Sequence, residues 1–146
     1  LEKGYQPVIL LDGPPGIGCP VIAAIGGATA VAIVVEPTVS GLHDMERVLE
    51  LAAHFRVPGM VCVNKFDLNL EMTEAIERLA TERNVALLGR LPFDPVFTRA
   101  MVAGKTLLEF GEETPTHRLV REMWIAIIKS PSMNPLGIVD LKATIQ

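Results

Sequence analysis

The chain has two cysteines, Cys19 and Cys62, among its 146 residues. Two thiolates cannot complete a four-cysteine iron–sulfur cluster. No further Cys or His stands at ligand spacing, so neither a zinc site nor a disulfide framework is supported. Both cysteines lie in apolar stretches next to strand-like segments and read as buried thiols of a reducing compartment. Blocks of Lys and Arg are also lacking. With 13 basic against 17 acidic residues and a net charge of −4, no nucleic-acid surface is indicated. The opening Leu1-Glu2-Lys3-Gly4 is not followed by the apolar h-region of a secretory leader. It also lacks an initiator Met, which suggests an excised, processed or engineered start. From Gly13 to Val35 there is no charge at all, and that raises the question of a membrane span. Pro14, Pro15, Pro20 and the Gly26-Gly27 pair interrupt the run, whereas a span needs about 20 continuous helical residues. A cytoplasmic protein without a membrane span is the expectation.

Hydrophobic residues make up 49% of the chain and charged residues 21%. That is enough for a packed core of one modest domain. Short apolar runs alternate with stretches of helical periodicity. Val8–Leu11, Ala30–Val35, Met60–Val63 and Ala86–Leu91 read as strands buried on both faces. Four parallel strands are therefore expected near 7–12, 29–35, 59–64 and 86–91. Between them, a short helix spans Val21–Ile25. Ser40 reads as the N-cap of a helix with Asp44 in its first turn and Leu42, Met45, Leu49 and Ala52 inward. Asn69 caps a helix whose inner face is Met72, Ile76, Leu79 and Ala80, with Asn84 at C′. A further short helix covers Phe97–Ala103 and ends at Gly104. Thr114-Pro115 opens the last helix, which carries Leu119, Val120, Met123, Trp124, Ile127 and Ile128. The domain is expected to close near residue 129, with an irregular tail over 130–146. The fold class is α/β, a parallel sheet with flanking helices and right-handed crossovers. Ligands of such sheets bind at the carboxyl ends of the strands. The loops after Leu11, Val35, Val63 and Leu91 are therefore the places where chemistry is expected.

The first of these loops is Asp12-Gly13-Pro14-Pro15-Gly16-Ile17-Gly18-Cys19-Pro20. Gly13 and Gly18 have the spacing of a phosphate-binding G-x-x-x-x-G-K-[ST] loop, but Cys19 and Pro20 stand where Lys and Ser/Thr belong. Without that ammonium, hydroxyl and amide it is not a P-loop. Asp12 at the tip of an apolar strand is instead placed to order Mg²⁺ through water. Gly13 and Gly16 can offer amides to a γ-phosphate. The second loop, Glu36 to Asp44, contains Ser40 and His43, and His43 reads as a solvated helix residue. The third, Asn64-Lys65-Phe66-Asp67, has the form N-K-x-D. An Asp carboxylate can accept from the two N–H groups of guanine, and a Lys stem can lie along the base. The fourth is Leu91-Pro92-Phe93-Asp94-Pro95, a loop with two helix breakers.

Taken together and in this order, the motifs resemble the MinD/ParA-type P-loop ATPases. Val8 to Gly16 resembles their Walker B and switch II stretch. The continuation Gly16-Ile17-Gly18-Cys19-Pro20 resembles a subgroup with an inserted ferredoxin-like domain. Glu36-Pro37-Thr38-Val39-Ser40 resembles a segment near the nucleotide and the dimer interface. Asn64 matches the residue that contacts adenine, and Leu91 to Pro95 matches the stretch whose backbone meets the base. The resemblance covers about residues 7–128. It implies a partial P-loop NTPase fold, with Asp12 ordering Mg²⁺, Gly13 and Gly16 near the phosphate, and Asn64, Lys65, Asp67 and Pro92 around the base. ATP and Mg²⁺ would belong to a longer parent, as would an iron–sulfur cluster outside this chain. None is expected on the chain alone. No residue matches the P-loop lysine. In the family the P-loop strand is central, between the strands ending at Asp12 and Val35, so the sheet is expected to lack its middle member. Two other readings stay open, a non-catalytic interaction module and a GTPase part resting on Asn64–Asp67. The partners implied are a nucleotide and either a second copy or another protein.

Overall fold

The computed structural model describes residues 8–14 and 18–133. Its elements run α1 (Cys19–Gly26), β1 (Val31–Val35), α2 (Val39–His54), β2 (Gly59–Asn64), a 3₁₀ turn (Phe66–Leu68), α3 (Leu70–Glu82), β3 (Ala86–Leu91), α4 (Pro95–Val102), a second 3₁₀ turn (Leu107–Glu109) and α5 (Pro115–Lys129). The three strands form one parallel sheet in the order β1-β2-β3. Alternating strands and helices thus produce the expected α/β architecture.

The central strand organises the packing. All four inner residues of β2, Met60 to Val63, are buried. Side chains alternate across a strand. Val61 and Val63 therefore enter one core with Val35, Met45, Leu49, Ile76 and Ala80, beneath α2 and α3. Cys62 faces the other way and its thiol lies 3.7 Å from the Met123 sulfur of α5. Close approach of α5 requires Gly89, which has φ +136 and where a Cβ would stand 3.0 Å from Met123. It follows a register shift, since Val61 pairs with Leu87 but Cys62 with Gly89. Leu88 is thus the extra residue of a bulge.

The expected strand near 7–12 does not form. Val8 to Pro14 carry no regular structure, and Ile9 and Leu10 are 84% and 76% exposed. An apolar run becomes a strand only against a neighbour that accepts its amides, and among the described residues β1 pairs with β2 alone. Among the described residues the outer edge of β1 has no partner strand. Ala32 and Val34, on the Cys62 side of β1, lie beyond the reach of α5, and Val34 is 64% exposed.

Several local expectations shift. The N-cap of α2 is Thr38, whose hydroxyl accepts the Gly41 N–H at 2.9 Å. Ser40 lies inside the first turn and Asp44 beyond it. The helix starts early because Gly41 lets the turn fold onto Glu36, where a Cβ would meet the carbonyl oxygen at 2.3 Å. α4 starts at Pro95, capped by Asp94. α1 reaches back to Cys19, whose thiol is exposed and so is not the buried thiol expected. Cys62 is buried, and desolvation pushes its thiol up to about 11. The caps at Asn69 and Thr114 and the left-handed Asn84 after α3 are as expected. Of the tail, 134–146 lies outside the described residues.

Two measurements check this packing. Ile76→Ala, at a fully buried site, is expected to cost about 2–5 kcal/mol in urea unfolding, while Val34→Thr on the open face stays within about 0.5 kcal/mol. In the folded chain a thiol reagent at neutral pH is expected to label Cys19 and spare Cys62, which reacts only after denaturation.

Candidate functional site

Because the strands are parallel, their carboxyl ends share one edge, and the loops leaving them are neighbours. The loop after β2 begins with Asn64, half-buried. Lys65 follows in the left-handed region, φ 55. This conformation costs a non-glycine residue energy and persists only where the surroundings impose it. Here it turns the chain from the strand into the 3₁₀ turn. Thr73, buried in α3, donates its hydroxyl to the Phe66 and Asn69 carbonyls at 2.9 Å each. From β3, Arg90 lies 5.6 Å from the Phe66 ring centre and pairs with both Glu77 carboxylate oxygens at 2.6 Å. That bidentate bond holds the Glu77 carboxyl below its usual range and raises Arg90 further.

Three polar links then tie the strand-end loops together. Lys65 Nζ donates to Glu36, after β1, at 2.5 Å. Asp67 Oδ1 accepts the Phe93 N–H, after β3, at 2.7 Å. Asp94 accepts the Val96 N–H at 2.9 Å through Oδ1 and the Thr116 hydroxyl of α5 at 2.6 Å through Oδ2. Its carboxyl is held below the ordinary aspartate range, first by the Thr116 hydroxyl and then by the Val96 amide. Thr116 is itself placed by the start of α5. There the Thr114 N–H donates to Nδ1 of buried His117 at 3.2 Å, and the Nε2 of the same ring meets the Phe110 carbonyl at 3.2 Å.

Asn64, Lys65, Asp67 and Pro92 are thus brought to one edge, on adjacent strands. Asp12 and Gly13 precede the sheet in exposed chain, and among the described residues no hydrogen bond ties Asp12 to that edge. Gly16 lies outside the described residues. Glu36 and Asp94 lie in two of the strand-end loops singled out from the sequence, but their hydrogen-bond partners were not anticipated, and neither was Thr116. The exposed Lys65–Glu36 pair is worth at most about 1 kcal/mol. Its effect is to orient the Lys65 stem across the loop. Among the described residues no group of three or more His, Cys, Asp or Glu side chains is placed to hold a metal.

An open parallel sheet with its polar loops gathered at the carboxyl edge is the arrangement of the α/β nucleotide-binding folds. Comparison with known proteins specifies which. The chain superposes on the MinD cell division protein of Aquifex aeolicus with a TM-score of 0.66 at 22% identity, over 81% of this chain and 51% of that one. It is 25% identical to an uncharacterized ATP-binding protein of Methanocaldococcus jannaschii, MJ0547, over 83% of this chain and 46% of that protein. It is 27% identical to a cytosolic Fe-S cluster assembly factor, the NUBP2 homolog of Trichoplax adhaerens, over 84% and 52%. A shorter stretch, 41% of the chain, is 37% identical to the uncharacterized protein MJ0578 of M. jannaschii. No protein-family model matches. The chain has the fold of that MinD protein over the matched stretch, and its longer-matching relatives include an ATP-binding protein and a cytosolic Fe-S cluster assembly factor. It spans about half the length of these longer-matching relatives, or slightly less. No helix among the described residues is long and apolar enough to cross a membrane.

The double role of Asp94 is open to test. Asp94→Ala removes a helix cap and is expected to cost about 1 kcal/mol at neutral pH. A carboxyl with a lowered folded pKa stabilises above its unfolded value and loses that contribution as pH falls through the folded one. The gap between wild type and D94A in urea midpoints should therefore be full at pH 7 and shrink as the pH is taken down through the aspartate range.

Proposed function

We propose that this chain is the switch and base-recognition part of a MinD/ParA-type nucleotide-binding ATPase whose parent works in the cytoplasm in connection with iron–sulfur chemistry. The observation that carries the reading is the joining of the Asn64–Asp67 and Pro92–Asp94 loops at one sheet edge by the Asp67–Phe93 bond. Asn64 offers a carboxamide with both a donor and an acceptor there. Among the described residues no hydrogen bond occupies that side chain. Exposed Phe93 and the Lys65 stem flank it with apolar surface. These groups fit a base. Asp12 would hold water on a Mg²⁺ ion brought with the phosphates, and Gly13 and Gly16 would offer amides to the γ-phosphate. ATP and Mg²⁺ would supply phosphoryl transfer once a P-loop lysine completes the site. The ATP-binding relative supports the nucleotide, and the cytosolic Fe-S cluster assembly factor supports the setting. Dimerisation through the Glu36–Ser40 segment belongs to the same reading.

The coding sequence upstream of Leu1 tests this reading. A Gly-rich loop ending in G-K-[ST] is expected there, with a Cys-rich insert between it and this chain. A true start at Leu1 would instead favour a non-catalytic interaction module. The 146-residue chain by itself is expected to show no ATP turnover, measured as phosphate release, since it has no P-loop lysine. Robust turnover abolished by Asp12→Ala would overturn the reading of Gly13–Pro20.

A further inference from the structure

Asn64-Lys65-Phe66-Asp67 has the form of a guanine-reading motif, and that chemistry needs the Asp carboxylate free. It must accept from two N–H groups of the base side by side. In this chain Asp67 Oδ1 is occupied by the Phe93 N–H at 2.7 Å. The bond is charge-assisted and short, and such bonds are about twice as strong as neutral ones.

Its geometry is imposed from both sides. Asp67 sits in the 3₁₀ turn, which is pinned by Thr73 on the Phe66 carbonyl and by Arg90 against the Phe66 ring. Phe93 lies one residue before Asp94, which is pinned in turn by Val96 and Thr116. Between two anchored loops, the Asp67 carboxylate spans the gap between β2 and β3. The peptide group before Phe93, carrying the Pro92 carbonyl, is tied through its N–H to the turn that follows Asn64.

Building on the nucleotide reading above, we propose that Asp67 is a positioning residue. It locks the Pro92–Asp94 loop to the Asn64–Lys65 loop and leaves base recognition to the Asn64 carboxamide and the backbone beside Pro92. A carboxamide offers one donor and one acceptor, the complement of the adenine edge. With Asp67 Oδ1 taken by the Phe93 amide, the two carboxylate oxygens no longer present an equal, free pair to the side-by-side N–H groups of guanine.

The experiment uses the whole 146-residue chain, labelled with ¹⁵N, as wild type, Asp67→Asn and Asp67→Ala. Asp67 is exposed, so truncation opens no cavity and the variants keep the fold. Hydrogen exchange is read at the Phe93 amide, with Val61 and Ile76 as controls. The same substitutions are then made in the chain extended by its upstream coding segment, and those proteins are titrated with adenosine and with guanosine. Asp67→Ala is expected to speed Phe93 exchange about tenfold and leave the controls protected. Asp67→Asn keeps an oxygen acceptor and should restore most of the protection. Adenosine should shift the Asn64 side-chain and Phe93 signals in wild type and D67N, and do so more weakly in D67A. Guanosine should bind less tightly than adenosine throughout. Unchanged Phe93 exchange in D67A would overturn the proposal, as would guanosine binding by wild type that D67N abolishes. If neither nucleoside shifts any signal, the nucleotide reading fails, while Phe93 exchange still decides whether Asp67 is the bracket.

Discussion

Burial of β2 on both faces is the constraint from which the rest follows. A strand that gives Val61 and Val63 to α2 and α3, and Cys62 to α5, cannot slip by one residue without turning every side chain to the wrong layer. Its register therefore sets those of β1 and β3, and with them the level at which all three chains leave the sheet. Asn64 stands one residue beyond Val63. The position of the candidate site is in this sense a by-product of core packing.

What packing does not supply is the relative placement of the loops. That comes from the polar links Lys65–Glu36, Asp67–Phe93 and Asp94–Thr116, which cross from β1 to α5. The first is exposed and weak. The other two use backbone amides or a buried hydroxyl and are braced by helix caps. Rigidity should therefore increase from the Glu36 side toward α5. The β1 side, whose outer edge has no partner strand among the described residues, carries exposed Val34. Likeness to MinD covers about half of that protein.

Much of the fold was legible because β1 and β2 are apolar runs, β3 opens on one at Ala86–Leu88, and α2 and α3 have clean apolar stripes. Both patterns follow from local geometry and survive any topology. The caps at Asn69 and Thr114 were legible for the same reason, each being a contact within four residues. The cap of α2 was misplaced at Ser40 because Thr38 wins only through Gly41, whose lack of a Cβ matters against the Glu36 carbonyl. Cys19 looked buried because its neighbours are apolar. Exposure depends on what covers a segment, and among the described residues nothing covers the start of α1.

The sequence by itself determined the alternation of elements, the parallel sheet and the clustering of Asn64, Lys65, Asp67 and Pro92 at one edge. Those follow from periodicity and from the rule that parallel strands point their ends the same way. Tertiary structure alone decided that Val8–Leu11 stays out of the sheet. An apolar run has the same sequence whether or not a neighbouring strand is there to accept its amides. It also decided which partner Asp67 meets. The N-K-x-D pattern says nothing of the Phe93 amide, 26 residues along the chain, because hydrogen-bond partners across a sheet edge are chosen by strand register, which no four-residue motif contains.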